Sequence, residues 1–461
     1  MNARHVRVRL LALSAIGLYA VAALGTTDAV TRAEAACTRW PTCTGSVLPP
    51  TAGPALLAWG HRASVFVVGL LLLAAAVATL LDRPSRRVWL SLAVALVAYV
   101  VEVAIGRALV AGAALSGVHL AVAAVILAGV FASLTWTLEP AGEDSPNRAG
   151  PGAPLPAPRA TSESATDADA SGRVGLRARL GAYAELTKPR LMWLLSLVAL
   201  AGMTLAAGGL PPLDLAVPTV VGGALSIGAS GAFNHVLERD RDAAMDRTSD
   251  RPVVTHQVPA RRALAFGVVL AALAMATFVG LVNATAAAID LGAIAFYTVG
   301  YTMVLKPNTS WNITLGGAVG AFPALVGSAA IRGTVGAPAL LLGLVVFTWT
   351  PAHFYNLALA YEDDYRAGGF PMLPVVAGRA ETRRHILGYL GVTFVSTLVL
   401  AAVTHLDLAF VAITAAFGAA FLWAVVRLAA ERTDAAAFRA FHASNAYLGA
   451  LLVAVLVSGV V

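Results

Sequence analysis

Charge is what this sequence lacks most. Asp, Glu, Lys and Arg together make up 12% of its 461 residues, against roughly 25% in a soluble globular chain. An ordinary soluble enzyme and a disordered chain are excluded, because both need far more charge to stay in water. Cysteine is almost missing: Cys37 and Cys43 are the only two, which excludes a disulfide-stapled scaffold. Lysine is equally scarce, with Lys188 and Lys306 alone. So few charges make the position of each one informative, and no nucleic-acid partner is expected.

What fills the space is apolar sequence, 58% of the chain. Thirteen runs are long enough to cross a bilayer, near 8–27, 62–81, 88–106, 115–136, 191–209, 216–237, 262–281, 286–304, 312–331, 338–358, 385–404, 408–426 and 442–461. The first is long for a signal-peptide core and is followed by more spans, so it reads as a span. Ala33, Ala35 and Ala36 keep a cleavage pattern open beside it. With the N-terminus inside, 27 of the 32 basic residues fall in inside segments, and only Arg32, Arg39, Arg62, Arg107 and Arg332 fall outside. That asymmetry predicts a multi-pass, all-α cell-membrane protein with a cytoplasmic N-terminus and an extracytoplasmic C-terminus.

One interruption divides the chain. Residues 139–187 are polar and proline-rich at first, then rich in Ser, Thr, Asp and Ala. Such a composition buries no core and reads as a flexible cytoplasmic linker. It separates a four-helix unit, 1–138, from a nine-helix unit, 188–461.

In the four-helix unit, Cys37 and Cys43 share an outside loop, where a close pair is well placed to oxidise; two unpaired thiols are the alternative. His61 and His119 begin spans two and four at the same outer level. Two such histidines inside a four-helix bundle can ligate a haem iron from both sides, although a membrane histidine also serves as a plain interhelical donor. Glu102, within span three, is a further candidate polar contact. The Cys-x5-Cys loop with Trp40-Pro41, the His61-Arg62 helix start and Gly-Val-His119-Leu resemble the first half of haem A synthases. That resemblance covers about 130 residues and implies either a second bound haem or a remnant structural role. Where that family usually has a carboxylate four residues before the first histidine, this chain has Leu57, and the usual second half is missing.

The nine-helix unit carries the chemistry. Asn234, Glu238 and Asp242 are spaced i, i+4, i+8, which stacks three oxygen-bearing side chains on one helical face. That set suits a hard cation such as Mg²⁺, which takes one or two carboxylates plus phosphate oxygens. Arg247 and Arg251 follow with the same spacing and offer forked donors to phosphate. A loop obeying the positive-inside rule would explain these arginines but not the carboxylates. A second acidic cluster, Glu362-Asp363-Asp364, follows His353 and span ten on the same expected face. Lys188 and Lys306 stand at that level too, with snorkelling as their ordinary alternative. Two acid clusters and four cations around a lipid-facing cavity suit the ionisation of an allylic diphosphate.

Three segments then carry a specific resemblance: Asn234-x3-Glu238-x3-Asp242-x2-Met245-x-Arg247-Thr248-x2-Arg251-Pro252, the Leu305-Lys306 to Pro323 stretch, and Pro351-x-His353-Phe354 through Asp364 to Pro374. Over 183–461 the chain resembles the protoheme IX farnesyltransferase (haem O synthase) branch of the UbiA prenyltransferase superfamily. The resemblance implies transfer of farnesyl from farnesyl diphosphate to a vinyl group of protohaem IX, haem B. It implies that Asn234, Glu238, Asp242 and Asp364 are catalytic, with Glu238, Asp242 and Asp364 holding Mg²⁺. Lys188, Arg247, Arg251 and Lys306 would bind diphosphate, and His353 would touch haem or simply bond a neighbour. The superfamily often has a second acid four residues after Asp364, where this chain has Gly368, and many bacterial members have Arg in place of Tyr361, so Glu362 or Asp363 would share the metal. Fusion of the two units implies hand-over of haem O to a haem A synthase partner. A prenyltransferase for a quinone precursor, or a membrane protein that only binds or transports haem, remain the other readings.

Overall fold

Helices account for all the regular structure among the described residues, and thirteen are long and apolar enough to cross a membrane. The computed structural model describes residues 3–37, 39–43, 45, 48–51, 53–81, 84–140 and 175–460. Four long helices come first and are called the front helices: α1 (Ala3–Thr31), α2 (Gly53–Leu80), α3 (Arg86–Val110) and α4 (Ser116–Leu138). A short α5 (Leu176–Leu186) precedes the larger bundle. There α6 (Pro189–Ala207), α7 (Leu213–Leu237), α8 (Ala260–Leu281) and α9 (Ala284–Ala295) come first. α10 (Asn312–Gly316), α11 (Ala318–Arg332), α12 (Ala337–Ala360), α13 (Arg379–Thr404), α14 (Leu408–Glu431) and α15 (Asp434–Ser458) complete it.

Small residues set how closely these helices pack. A Cβ on Gly327 would fall 2.2 Å from the Ala199 carbonyl oxygen, and one on Gly202 would fall 2.5 Å from that of Ala324. α6 and α11 therefore touch backbone to backbone, the close approach that small residues permit in lipid. α9 does not end in an ordinary turn. It continues as a π-helix, Phe296–Leu305, a rare form concentrated at functional sites.

The front helices are not a separate body. Tyr19 of α1 lies 4.4 Å, ring to ring, from Phe394 of α13, and Phe131 of α4 packs edge-on against the same ring at 5.8 Å. At the end of α4, Glu139 is 0% exposed and meets Arg383 at 2.5 Å. Arg432 stands 3.7 Å from the same carboxylate. Two buried opposite charges satisfy each other here, and removing either would strand its partner. The stretch expected to be a flexible linker is accordingly shorter at both ends. Glu139 belongs to the core, and Leu176–Leu186 is helical, with Ala182 and Leu186 buried. Its middle, 141–174, lies outside the described residues.

Candidate active site

The helical path of α7 runs on past its end. Glu238 N–H donates to the Asn234 carbonyl at 2.9 Å, and Asp242 N–H donates to that of Glu238 at 2.8 Å. These i→i+4 bonds keep Asn234, Glu238 and Asp242 on one face, and all three are at most 3% exposed. Each meets a cation or its hydrogen-bond donor. Lys188 Nζ donates to Asn234 Oδ1, and also to the Tyr297 hydroxyl at 3.2 Å. Lys306 Nζ reaches both Glu238 oxygens at 2.6 and 2.7 Å. Arg251 donates to Asp242 Oδ2 at 2.6 Å.

Both lysines owe their place to local backbone. Lys188 takes a left-handed φ of 53° just before Pro189, and proline starts α6 with its φ already set. Lys306 closes the π-helix. Residues 297 and 306 lie nine apart, which puts them on opposite faces of an α-helix. The wider i→i+5 turns bring Tyr297 and Lys306 to neighbouring partners. Thr302 ties the turn down, donating to the Tyr297 carbonyl at 2.9 Å and accepting from Asn234 Nδ2 at 3.3 Å.

Burial governs the charge states at this mouth. It pulls the Lys188 ammonium down to about 7, helped by the positive charge of Arg251. Burial pushes Glu238 up, but Lys306 and Lys188 outweigh it and hold that carboxyl below its usual range. Asp242 goes the other way: burial raises it, and Arg251 offsets only part of the effect.

The second acid cluster meets the first through backbone. Asp364 accepts the N–H groups of Asp246 and Arg247 at 3.1 and 3.3 Å, clamping the loop that follows the ladder. Arg247 parts from Arg251. Its guanidinium lies over the rings of Tyr361 and Tyr365 at 4.8 and 5.7 Å, beside an open cavity of about 460 Å³ lined by Asp246, Glu362, Asp363 and Asp364. Glu362 and Asp363 are both taken by Arg366, and Glu362 also by Arg379.

As the side chains stand, no three His, Cys, Asp or Glu among the described residues converge on one metal position. Glu238, Asp242 and Asp364 each bind a protein donor instead. One observation nevertheless fits a hard cation: Asp242 Oδ1 is buried without a hydrogen-bond partner, a cost that an oxygen-seeking ion would remove.

His353 is elsewhere. It is sandwiched between Trp349 at 4.2 Å and Phe441 at 4.3 Å, with Nδ1 2.6 Å from Ser444 Oγ. Its contacts are those of a packed helix interface, and none is with the acid ladder. The front-unit residues are also apart from the mouth. His119 Nδ1 lies 3.1 Å from Glu102, and His61 packs on Gly25, where a Cβ would come within 2.8 Å of the ring. His61 Nδ1 and Glu102 Oε2 are buried without a hydrogen-bond partner. Cys37 and Cys43 are disulfide-bonded.

Residues 195–449 match the UbiA prenyltransferase family. The chain is 51% identical to protoheme IX farnesyltransferase 1 of Natronomonas pharaonis, over 97% of both chains. It is 50% identical to the protoheme IX farnesyltransferase of Haloarcula marismortui, again over 97% of both. This chain belongs to the protoheme IX farnesyltransferase family. Another protoheme IX farnesyltransferase, from Saccharopolyspora erythraea, is 44% identical; 62% of this chain spans 92% of it, so that relative is a shorter protein. A solved digeranylgeranylglyceryl phosphate synthase structure has a TM-score of 0.51 at 14% identity, covering 61% of this chain and 99% of that one. That likeness establishes the fold alone. In this protoheme IX farnesyltransferase family member, sequence reasoning passed over Tyr297 and Thr302. An α-helical period puts Tyr297 on the wrong face, and only the π-helix brings it to Lys188.

Proposed function

We propose that this chain transfers the farnesyl group of farnesyl diphosphate to a vinyl group of haem B, making haem O and releasing diphosphate. The observation that supports this most is the set of three cations, Lys188, Lys306 and Arg251, held against Asn234, Glu238 and Asp242 at the mouth of an apolar bundle. An allylic diphosphate offers what each group needs. Its oxygens accept from the cations, while its isoprenoid tail lies among apolar helices.

Glu238, Asp242 and Asp364 would hold Mg²⁺ together with diphosphate oxygens. Bound there, the ion neutralises negative charge on the leaving group. Lys188, Lys306 and Arg251 do the same from the protein side as the allylic carbon–oxygen bond breaks. Arg247, free of the ladder and facing the open cavity, meets the outer phosphate. Phe370, whose ring lies 4.4 Å from Lys306 Nζ, packs against Tyr365 at 6.3 Å, and Tyr301 stands 5.8 Å from Tyr297; these rings keep water from the electron-poor allylic carbon. The terminal vinyl carbon then bonds to that carbon, water adds its hydroxyl to the inner vinyl carbon, and a proton leaves.

This mouth faces the cytoplasm, as the basic residues argue. The front unit is a second haem site, with His61 and His119 as its iron ligands and the Cys37–Cys43 loop above them. The test is to supply membranes containing this chain with haem B, farnesyl diphosphate and Mg²⁺, and to look for haem O by mass. Haem O is the expected product. Its absence from folded, membrane-inserted protein would refute the reading.

A further inference from the structure

We infer that His385 is the iron ligand for the acceptor haem and that the aromatic rings beside it, Trp311 and Tyr355, seat the porphyrin. This rests on the transferase reading above. His385 lies near the start of α13, with Nδ1 3.0 Å from the Glu381 carbonyl oxygen. A carbonyl only accepts, so Nδ1 carries the proton and Nε2 presents its lone pair. That is the tautomer an iron requires, fixed by the kind of backbone bond that orients metal-binding histidines. The Glu381 carboxylate stands 3.6 Å from the same nitrogen and is itself held by Arg384 at 2.6 Å. No hydrogen bond from a described residue occupies Nε2, and the side chain is 26% exposed. The lone pair is therefore available from outside.

Aromatic rings surround the imidazole. Trp311 stands 6.4 Å away at 77° and Tyr355 stands 6.0 Å away at 78°. A porphyrin also stands perpendicular to its axial imidazole, so these rings have the tilt needed to lie along it. Next to His385, a Cβ on Gly388 would meet nothing within 4 Å, so the helix surface beside the imidazole is open. Trp311 is 54% exposed, a large flat surface with nothing laid over it.

The aromatic wall is also tied by the chain to the diphosphate site. Asn312, next to Trp311, donates its amide to the Lys306 carbonyl at 3.3 Å, while the Lys306 ammonium holds Glu238. One short segment thus joins the aromatic wall to a diphosphate-binding lysine, and an iron held at His385 would turn the porphyrin edge toward the allylic carbon. His353 offers no such opening, since both its faces are covered.

The test compares wild type with His385→Ala and His385→Met. In His385→Ala, KM for haem B should rise about tenfold or more, with KM for farnesyl diphosphate within about twofold. Added imidazole should restore the first value. Wild type should bind haem B in preference to iron-free protoporphyrin IX, and His385→Ala should lose that preference. His385→Met keeps a ligand but changes its chemistry, so with His61→Ala and His119→Ala removing the front-unit haem, the Soret band of bound haem B should shift. An unchanged KM for haem B in His385→Ala, or an unshifted Soret band in His385→Met, would overturn the proposal and leave Trp311 an ordinary interfacial tryptophan. A wild-type chain that made no haem O would overturn the transferase reading instead, and the Soret shift would still decide His385.

Discussion

The two polar ends of this molecule handle burial in opposite ways. At the mouth, Asn234, Glu238 and Asp242 each meet Lys188, Lys306 or Arg251, and only Asp242 Oδ1 is left over. At the outer end of the front unit, His61 Nδ1 and Glu102 Oε2 are buried with no hydrogen-bond partner. A paired cluster tolerates burial by itself and suits a ligand that brings both charges with it, as a metal diphosphate does. A ring nitrogen without a partner suits a ligand that accepts a lone pair, as an iron does. The difference is what the proposed pair of an exchange site at the mouth and a haem-coordination site in the front unit requires.

Breaking the mouth should have the largest effect. Asp242→Ala removes the one carboxylate with an oxygen to spare and strands Arg251, so haem O formation should fall roughly 10³-fold. Immunoblotting of membranes should show the chain still inserted. Normal turnover would make the ladder structural.

Changing the charge state of Lys188 should have a smaller effect. Its ammonium is held at about 7, so it is a cation below that pH and neutral above it. For wild type, kcat/KM for farnesyl diphosphate should therefore decline as pH rises through about 7. Lys188→Arg, which keeps its charge, should carry activity to higher pH. Superimposable profiles would remove Lys188 from diphosphate binding.

The smallest effect on turnover should come from the proposed haem ligands of the front unit. His61→Ala with His119→Ala should abolish the front-unit haem spectrum and leave the haem O rate within about twofold. A spectrum that survives both changes would end the bis-histidine proposal. A collapse of turnover would merge the two sites into one.

The same contrast marks what the sequence could reveal. Spans and mouth were legible because charge in a bilayer is costly wherever it sits, so its position carries meaning. The i, i+4, i+8 ladder survived because the backbone kept helical bonds beyond the formal end of α7. Tyr297 and Thr302 were hidden by the π-helix, whose turn no hydrophobic period announces. Arg247 and Arg251, alike in spacing, part because the chain after Asp242 turns back on itself, fixed by Thr248 donating to the Asp242 carbonyl at 2.9 Å. The sequence drew attention to His353, yet its neighbours Trp349 and Phe441 close it off, and they lie on helices far apart along the chain. Glu139, which reads as the first polar residue of a linker, is paired across the bundle with Arg383.

The most direct test of the central claim, that the paired charges at the mouth ionise an allylic diphosphate, is to measure diphosphate and haem O together in a single turnover. Both should appear in equal amounts and at the same rate, and both should stop when Mg²⁺ is chelated. Haem O that accumulates without diphosphate release would contradict it.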